Sequence, residues 1–290
     1  MVKFCVEAFG NNLDKVIKMC KKSEELGYHA FYYGDGPWNY LLDCFSTLSY
    51  LSSLTSRIRL GPAVSNLFKG YREPIILAKA SSTLDNISKG RFDLRIGCGN
   101  AKAKEWWETY GYQYPKYRVS MLEEGLKILK ELFLKDKVSY KGKYFFVKDA
   151  ELQPKCYQKP HIPITIAAMG KRMLKIAQEY ADILEISFLK PEEIKDKINF
   201  PKFLSLEIDV FIDKDREKAI KEAKDYLSKN HLSIDYLNRI LLGNPEDICK
   251  RINNYLDVGV RQFTLIFNQR DFFSSLEIFS EKVIFNFFKE

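Results

Sequence analysis

The chain has 290 residues, of which 46% are hydrophobic and 29% charged, which supplies the core of one large α/β domain and excludes a disordered chain. The formal net charge is +8, but its lysines and arginines are scattered among acidic residues with no arginine-rich block, so no nucleic-acid partner is expected. Three distant histidines and six cysteines without C-x-x-C spacing leave no metal site, and no apolar run is long enough to span a bilayer.

Strand and helix signals alternate from the start. "VKFCVEAF" reads as a strand rather than a signal peptide, which points to a reduced, cytoplasmic protein. A helix follows, capped by Asn11 or Asn12, striped by Leu13, Val16, Ile17, Cys20 and Leu26, and closed by Gly27. "HAFYYGD" is a second strand, residues 39–54 an apolar helix, and "RIRLGPAVSN" a third strand spoiled near its end by Gly61 and Pro62. "PIILAKASSTLDNIS" is a helix opened by Pro74, and "RFDLRIGCG" a fourth strand.

The rhythm then breaks. Residues 100–120 are aromatic and weakly periodic, 118–135 read as a helix, and "KVSYKGKYFFV" reads as a hairpin turning at Lys141–Gly142. Together, residues 100–160 form an insertion. After it come the strands "IPITIAAMG", "DILEIS", "FLSLEIDVFI" and "RQFTLIF", with helices between them and a closing helix over 272–289. Eight strand-helix units predict a (β/α)8 TIM barrel, a single domain over 1–290 with the insertion between strands 4 and 5.

Chemistry in such a barrel gathers at the C-terminal strand ends. Those ends hold Glu7, Gly34–Asp35–Gly36, Ser65–Asn66, Gly97–Asn100, Ala168–Arg172, Ser187, Asp213 and Asn268–Arg270. Their small residues suit a flat ligand approached closely by backbone. "TIAAMGKRM" puts Gly170, Lys171 and Arg172 at a helix start, either a phosphate seat or a plain turn with surface charge. The lone G-x-G of "RIGCGN" does not make a nicotinamide site. Glu7 is either a salt-bridged rim residue or a general acid with a pKa raised by an apolar pocket. Trp38, Trp106 and Trp107 wall a ligand or simply pack the insertion.

Three stretches in order, "LSYLSSLTSRIRLGPAVSN" running into "REPIILAKASSTLDNISKGRFDLRIGCGN", then "IPITIAAMGKRMLKIAQEYADILEI", then "LLGNPEDICKRINNYLDVGVRQFTLIF", resemble the luciferase-like superfamily of flavin and deazaflavin enzymes. Within it the chain is most similar to methylenetetrahydromethanopterin reductase-like oxidoreductases that use coenzyme F420. The resemblance implies a deazaflavin, with FMN as the alternative, seated in the barrel mouth. A bulge at Ala63, Val64, Ser65 and Asn66 would back its ring, with a cis peptide at Ala63–Val64. Asp35, the loop Gly97, Gly99 and Asn100, and the loop Ala167, Ala168, Met169, Gly170, Lys171 and Arg172 would complete the cofactor contacts. Lys69 and Arg72 would meet its anionic tail. Glu7 maps to the reductase's acidic residue and would handle the proton that accompanies hydride transfer.

Two departures stand out. The family often has Asp-His after the second strand, where this chain has Asp35–Gly36. The stretch between strands 7 and 8 is shorter than in the reductase, which removes part of a pterin wall. The expectation is an F420-dependent oxidoreductase acting on a small molecule, pterin-like or otherwise. The alternatives are an FMN-dependent monooxygenase and a non-catalytic flavin-binding protein. Apolar second and third helices suggest a homodimer or higher homo-oligomer.

Overall fold

A computed structural model describes residues 2–99, 104–112 and 116–287. Its elements are β1 (Lys3–Ala8), α1 (Leu13–Glu25), β2 (Ala30–Gly34), α2 (Cys44–Leu54), β3 (Arg59–Ala63), β4 (Ser65–Asn66), α3 (Pro74–Ile87) and β5 (Leu94–Gly97). They continue with α4 (Lys104–Thr109), α5 (Arg118–Leu134), β6 (Val138–Lys141), β7 (Phe146–Ala150), β8 (Ile164–Ala167), α6 (Lys171–Tyr180), β9 (Ile183–Ser187) and α7 (Pro191–Lys197). The last are β10 (Phe203–Ile212), α8 (Arg216–Lys229), β11 (Leu241–Gly243), α9 (Pro245–Asp257), β12 (Val260–Phe267), α10 (Phe272–Phe279) and α11 (Phe285–Phe287).

The main sheet runs β3-β2-β1-β12-β10-β9-β8-β5-β4, with β11 added beside β10. Its two end members, β3 and β4, are pieces of one strand separated only by Val64. That is the strand order of the expected (β/α)8 barrel. The predicted hairpin is the antiparallel pair β6–β7, with Tyr140 opposite Val147. Glu124 on α5 holds its turn, accepting from the backbone N–H groups of Lys143, Tyr144 and Phe145 at 2.9, 3.0 and 3.3 Å.

Several boundaries differ from the sequence expectation. Helix α2 starts at Cys44, because Asp43 caps it by accepting from the Ser46 N–H, and not at residue 39. Asn12, rather than Asn11, caps α1 through the Lys15 N–H. The closing helix is broken by a π-helical turn at Ser280–Ile284. A 3-10 helix at Ile234–Arg239 and the three-residue β11 have no counterpart in the expectation.

By contact density the chain divides into two compact units. The first comprises the residues up to Ala8, Lys18–Phe31 and the residues from Leu184 onward; the second comprises Phe9–Ile17 and Tyr32–Ile183.

In the first unit, β1, β12 and β10 lie side by side in parallel, with Glu7 and Asp209 both level with Ile266. Strand alternation then puts Cys5, Glu7, Gln262, Thr264, Ser205, Glu207 and Asp209 on one face. The other face is aromatic: Phe4 stacks on Phe263 at 5.6 Å and meets Phe279 of α10 edge-on at 5.6 Å. The polar face is closed by its own hydrogen bonds, since Glu185 accepts from Ser205 at 3.0 Å and from Thr264 at 2.8 Å.

The second unit is built around β3, β5 and β8, covered by α2, α3, α5 and α6. Arg95 on β5 is 0% exposed and lies 4.0 Å over the Tyr32 ring, with Nη1 donating to the Pro62 carbonyl at 3.2 Å. A fully buried guanidinium needs such partners to offset its lost hydration.

Candidate active site

The strand expected to be spoiled at Gly61 and Pro62 instead runs through both, since β3 extends to Ala63 and breaks only at Val64; the glycine has a steric cause. A Cβ on Gly61 would stand 2.4 Å from the Asp93 carbonyl oxygen, so only glycine lets β3 pass β5 there. The chain then turns through Ala63–Val64, whose peptide is cis as the resemblance implies, and re-enters the sheet with Ser65 opposite Ile96 and Asn66 opposite Gly97. Val64 lies over Gly97, where a Cβ would come within 2.9 Å of Val64 Cγ2. The bulge is thus cradled by a bare glycine backbone. Gly99 follows with a φ of 78°, a left-handed conformation suited to glycine. Asn100 lies outside the described residues.

Asp35, at the end of β2, is 5% exposed. Its carboxylate accepts from four side-chain groups: Ser65 Oγ at 2.6 Å, Tyr71 Oη at 2.9 Å, and Arg72 Nε and Nη2 at 3.0 and 2.6 Å. A carboxylate so surrounded is a fixed anchor that ties the bulge to the loop before α3. Arg72 pairs with Asp35 and also lies 4.8 Å over the Phe45 ring. The carboxylate raises the Arg72 pKa against an opposing effect of burial. Burial pushes the Tyr71 phenol up, and Asp35 adds to that shift.

Next to Asp35 is the position where the family often has histidine. A Cβ on Gly36 would stand 2.2 Å from Trp38 Nε1, so the indole occupies the space that a side chain there would take. Trp38 packs edge-on to Trp107 at 4.8 Å and to Trp106 at 5.8 Å, and Trp107 meets Tyr71 at 4.8 Å and Phe68 at 5.1 Å. Trp107 is 1% exposed, whereas Trp106 is 56% exposed.

Across the sheet, β8 ends at Ala167, Ala168 is buried, and Met169 and Gly170 are exposed before α6. No side chain caps α6; Gly170 is its N-cap, and a Cβ there would meet nothing within 4 Å. Uncapped N–H groups, the helix dipole, and Lys171 and Arg172 in the first turn all favour negative charge at this end of α6. Arg172 also pairs with Glu123 at 2.9 Å.

Glu7 is 6% exposed on the polar face of β1. On the same face the structure reveals an acid that sequence reasoning passed over. Asp209 is 2% exposed, accepts from Tyr236 Oη at 2.7 Å, and has the Asn268 side chain as its second donor. No ion pair reaches it among the described residues, and burial pushes its carboxyl up to about 6. The signal was present in "FLSLEIDVFI", where Ser205, Glu207 and Asp209 alternate with apolar residues and mark a strand with one polar face.

The fold is a luciferase-like barrel, and comparison with known proteins supports a flavin or a deazaflavin as its cofactor. Residues 5–235 match the family model for luciferase-like monooxygenase, and the chain belongs to that family. It is 25% identical to the F420-dependent glucose-6-phosphate dehydrogenase of Amycolatopsis mediterranei, covering 97% of this chain and 96% of that one. The coenzyme F420-dependent tetrahydromethanopterin reductase from Methanopyrus kandleri superimposes with a TM-score of 0.85, at 21% identity and 99% coverage of both chains. The oxygenating constituent of 3,6-diketocamphane monooxygenase from Pseudomonas putida, solved with FMN, superimposes with a TM-score of 0.76, at 15% identity and coverage of 97% and 98%. Among the described residues, no helix is long and apolar enough to cross a membrane.

Proposed function

We propose that this protein is an F420-dependent oxidoreductase that moves a hydride between the deazaflavin and a small organic substrate. The observation that carries the reading is the bulge Ala63–Asn66, backed by Gly97 and tied down by Asp35, in the same unit as the uncapped start of α6. Likeness over the whole chain to an F420-dependent relative favours the deazaflavin over FMN.

When bound, the cofactor supplies the hydride chemistry. The protein's part is binding, orientation and exclusion of water. Ala63 and Val64 offer a flat apolar backing, and Ser65 and Asn66 offer polar contacts at its rim. Gly97 and Gly99 leave room for close approach. Ala167–Gly170 and the first turn of α6 hold the phosphate, with Lys171 and Arg172 adding charge. Asp35 acts behind the bulge, through Ser65. The resemblance gives Glu7 the handling of the proton that accompanies hydride transfer. The exposed Tyr50, Ile76 and Ile87 on α2 and α3 support a homodimer, which sedimentation would test.

Titrating the purified protein with F420 and with FMN, followed by difference absorption, tests the reading. Saturable binding of F420 with weaker or no binding of FMN is expected. Preference for FMN points instead to a monooxygenase, and binding of neither removes both enzymatic readings.

A further inference from the structure

The positive charge of the chain is concentrated in the insertion, where residues 100–160 hold thirteen lysines and arginines against eight acidic residues. At the turn of its β6–β7 hairpin, two of these lysines gather on aromatic rings. Tyr117, the N-cap of α5, and Tyr144, in the turn, have ring centroids 6.3 Å apart. The Lys143 ammonium lies 5.3 Å from the Tyr117 centroid and 5.6 Å from that of Tyr144. The Lys116 ammonium lies 5.6 Å from the Tyr117 centroid. Both lysines are exposed, and no carboxylate pairs with either among the described residues. Two ammonium groups on one phenol ring repel each other, and an anion shared between them removes that cost.

The turn is fixed in place. A Cβ on Gly142 would stand 2.2 Å from Glu124 Oε2, so glycine lets the turn close on that carboxylate. Glu124 in turn accepts from the N–H groups of Lys143, Tyr144 and Phe145, which engages its charge with backbone donors. The preceding residue of α5, Glu123, pairs with Arg172 in the first turn of α6 at 2.9 Å. Consecutive residues of α5 therefore tie the hairpin turn to the start of α6, all within one unit.

We propose that Lys116 and Lys143, held on the Tyr117 and Tyr144 rings, bind the oligoglutamate tail of F420 and favour that cofactor over FMN. The inference rests on the reading that the cofactor's phosphate lies at the start of α6. F420 carries γ-linked glutamates beyond its phosphate, whereas FMN ends at the phosphate. The free carboxylates of such a tail match ammonium groups that lack an acidic partner. Neither lysine belongs to the contacts that the family resemblance implies, which put the tail at Lys69 and Arg72.

The test measures the affinity of the full chain, by difference absorption, for three ligands: F420 with a di-γ-glutamyl tail, the same cofactor with its glutamates removed, and FMN. At low ionic strength the tailed form should bind about tenfold tighter than the tailless form, the gain expected from two exposed ion pairs. That gap should narrow as salt is added. Lys116→Gln combined with Lys143→Gln should abolish the gap while leaving the affinities for the tailless form and for FMN as in the parent. Arginine at both positions should restore it. Equal affinity for the tailed and tailless forms in the parent, a gap that salt does not change, or an unchanged gap in the glutamine variant would overturn the inference while leaving the F420 reading intact. Failure of both deazaflavin forms to bind contradicts that reading, and the inference with it.

Discussion

Two buried aspartates, Asp35 just after β2 and Asp209 within β10, have opposite surroundings. Asp35 has a guanidinium on two of its hydrogen bonds and hydroxyls on two more. Asp209 has only the neutral donors of Tyr236 and Asn268, and its carboxyl is pushed up to about 6. The same residue type is therefore a hydrogen-bonded anchor that braces the bulge in one unit and an acid with a raised pKa on a polar strand face in the other. Burial alone does not decide the role of a carboxylate; the charge of its donors does.

Breaking the first arrangement should have the largest effect. Arg72→Ala leaves Asp35 buried without a cation and should cost about 3–5 kcal/mol in urea unfolding. Adding Asp35→Asn to that variant should restore much of the loss, because the orphaned charge is then gone. A loss under about 1 kcal/mol would mean that water reaches Asp35 and that it is not a fixed anchor.

Gly61→Ala comes next. Its Cβ would meet the Asp93 carbonyl at 2.4 Å, a backbone atom that cannot swing away. Overpacking there should cost about 1–3 kcal/mol, with lower cofactor affinity because β3 carries the bulge. Gly97→Ala meets the movable end of Val64 at 2.9 Å, so its effect on binding should exceed its effect on folding.

The second aspartate is tested by pH. The folded chain keeps the Asp209 proton up to about pH 6, whereas an unfolded aspartate releases it near pH 4. Between those values the folded state binds more protons, so this group lowers stability as pH rises through that window. Asp209→Asn removes the penalty, at most about 3 kcal/mol for a shift of this size. Its thermal midpoint should rise relative to the parent at pH 8, and the difference should vanish by pH 4. An equal difference at both pH values would show that Asp209 does not titrate in that range.

The smallest effect belongs to Glu193, brought down to about 2 chiefly by its hydrogen bond from Arg239. Its stabilisation is present above the ordinary glutamate range and is lost as pH falls towards 2. The pair is partly solvent-exposed, so Glu193→Gln should cost under about 1 kcal/mol at pH 7 and nothing measurable near pH 2.

These contrasts also show what the sequence makes legible. The barrel can be read because each strand-helix repeat carries its own periodicity and caps; the bulge is marked in sequence by Gly61–Pro62 but falls two residues later, at Val64, because β3 runs through both. The polar face of β10 could have been read from Ser205, Glu207 and Asp209. The Asp35 anchor could not, since Tyr71 and Arg72 approach it from a loop whose path depends on packing. Nor could the link between Gly36 and Trp38, because a missing Cβ does not reveal which ring fills the space. The three residues of β11 are too few for a periodic signal, and the π-helical turn in the closing helix has no proline or glycine to mark it.

The central claim is that the Ala63–Asn66 bulge backs the cofactor ring while the start of α6 holds its phosphate. A crystal structure with F420 tests it most directly. The account predicts the deazaflavin ring within van der Waals contact, about 3.5–4 Å, of Ala63 and Val64, with its phosphate at Ala167–Arg172. A ring elsewhere in the barrel, or a phosphate away from α6, would contradict it.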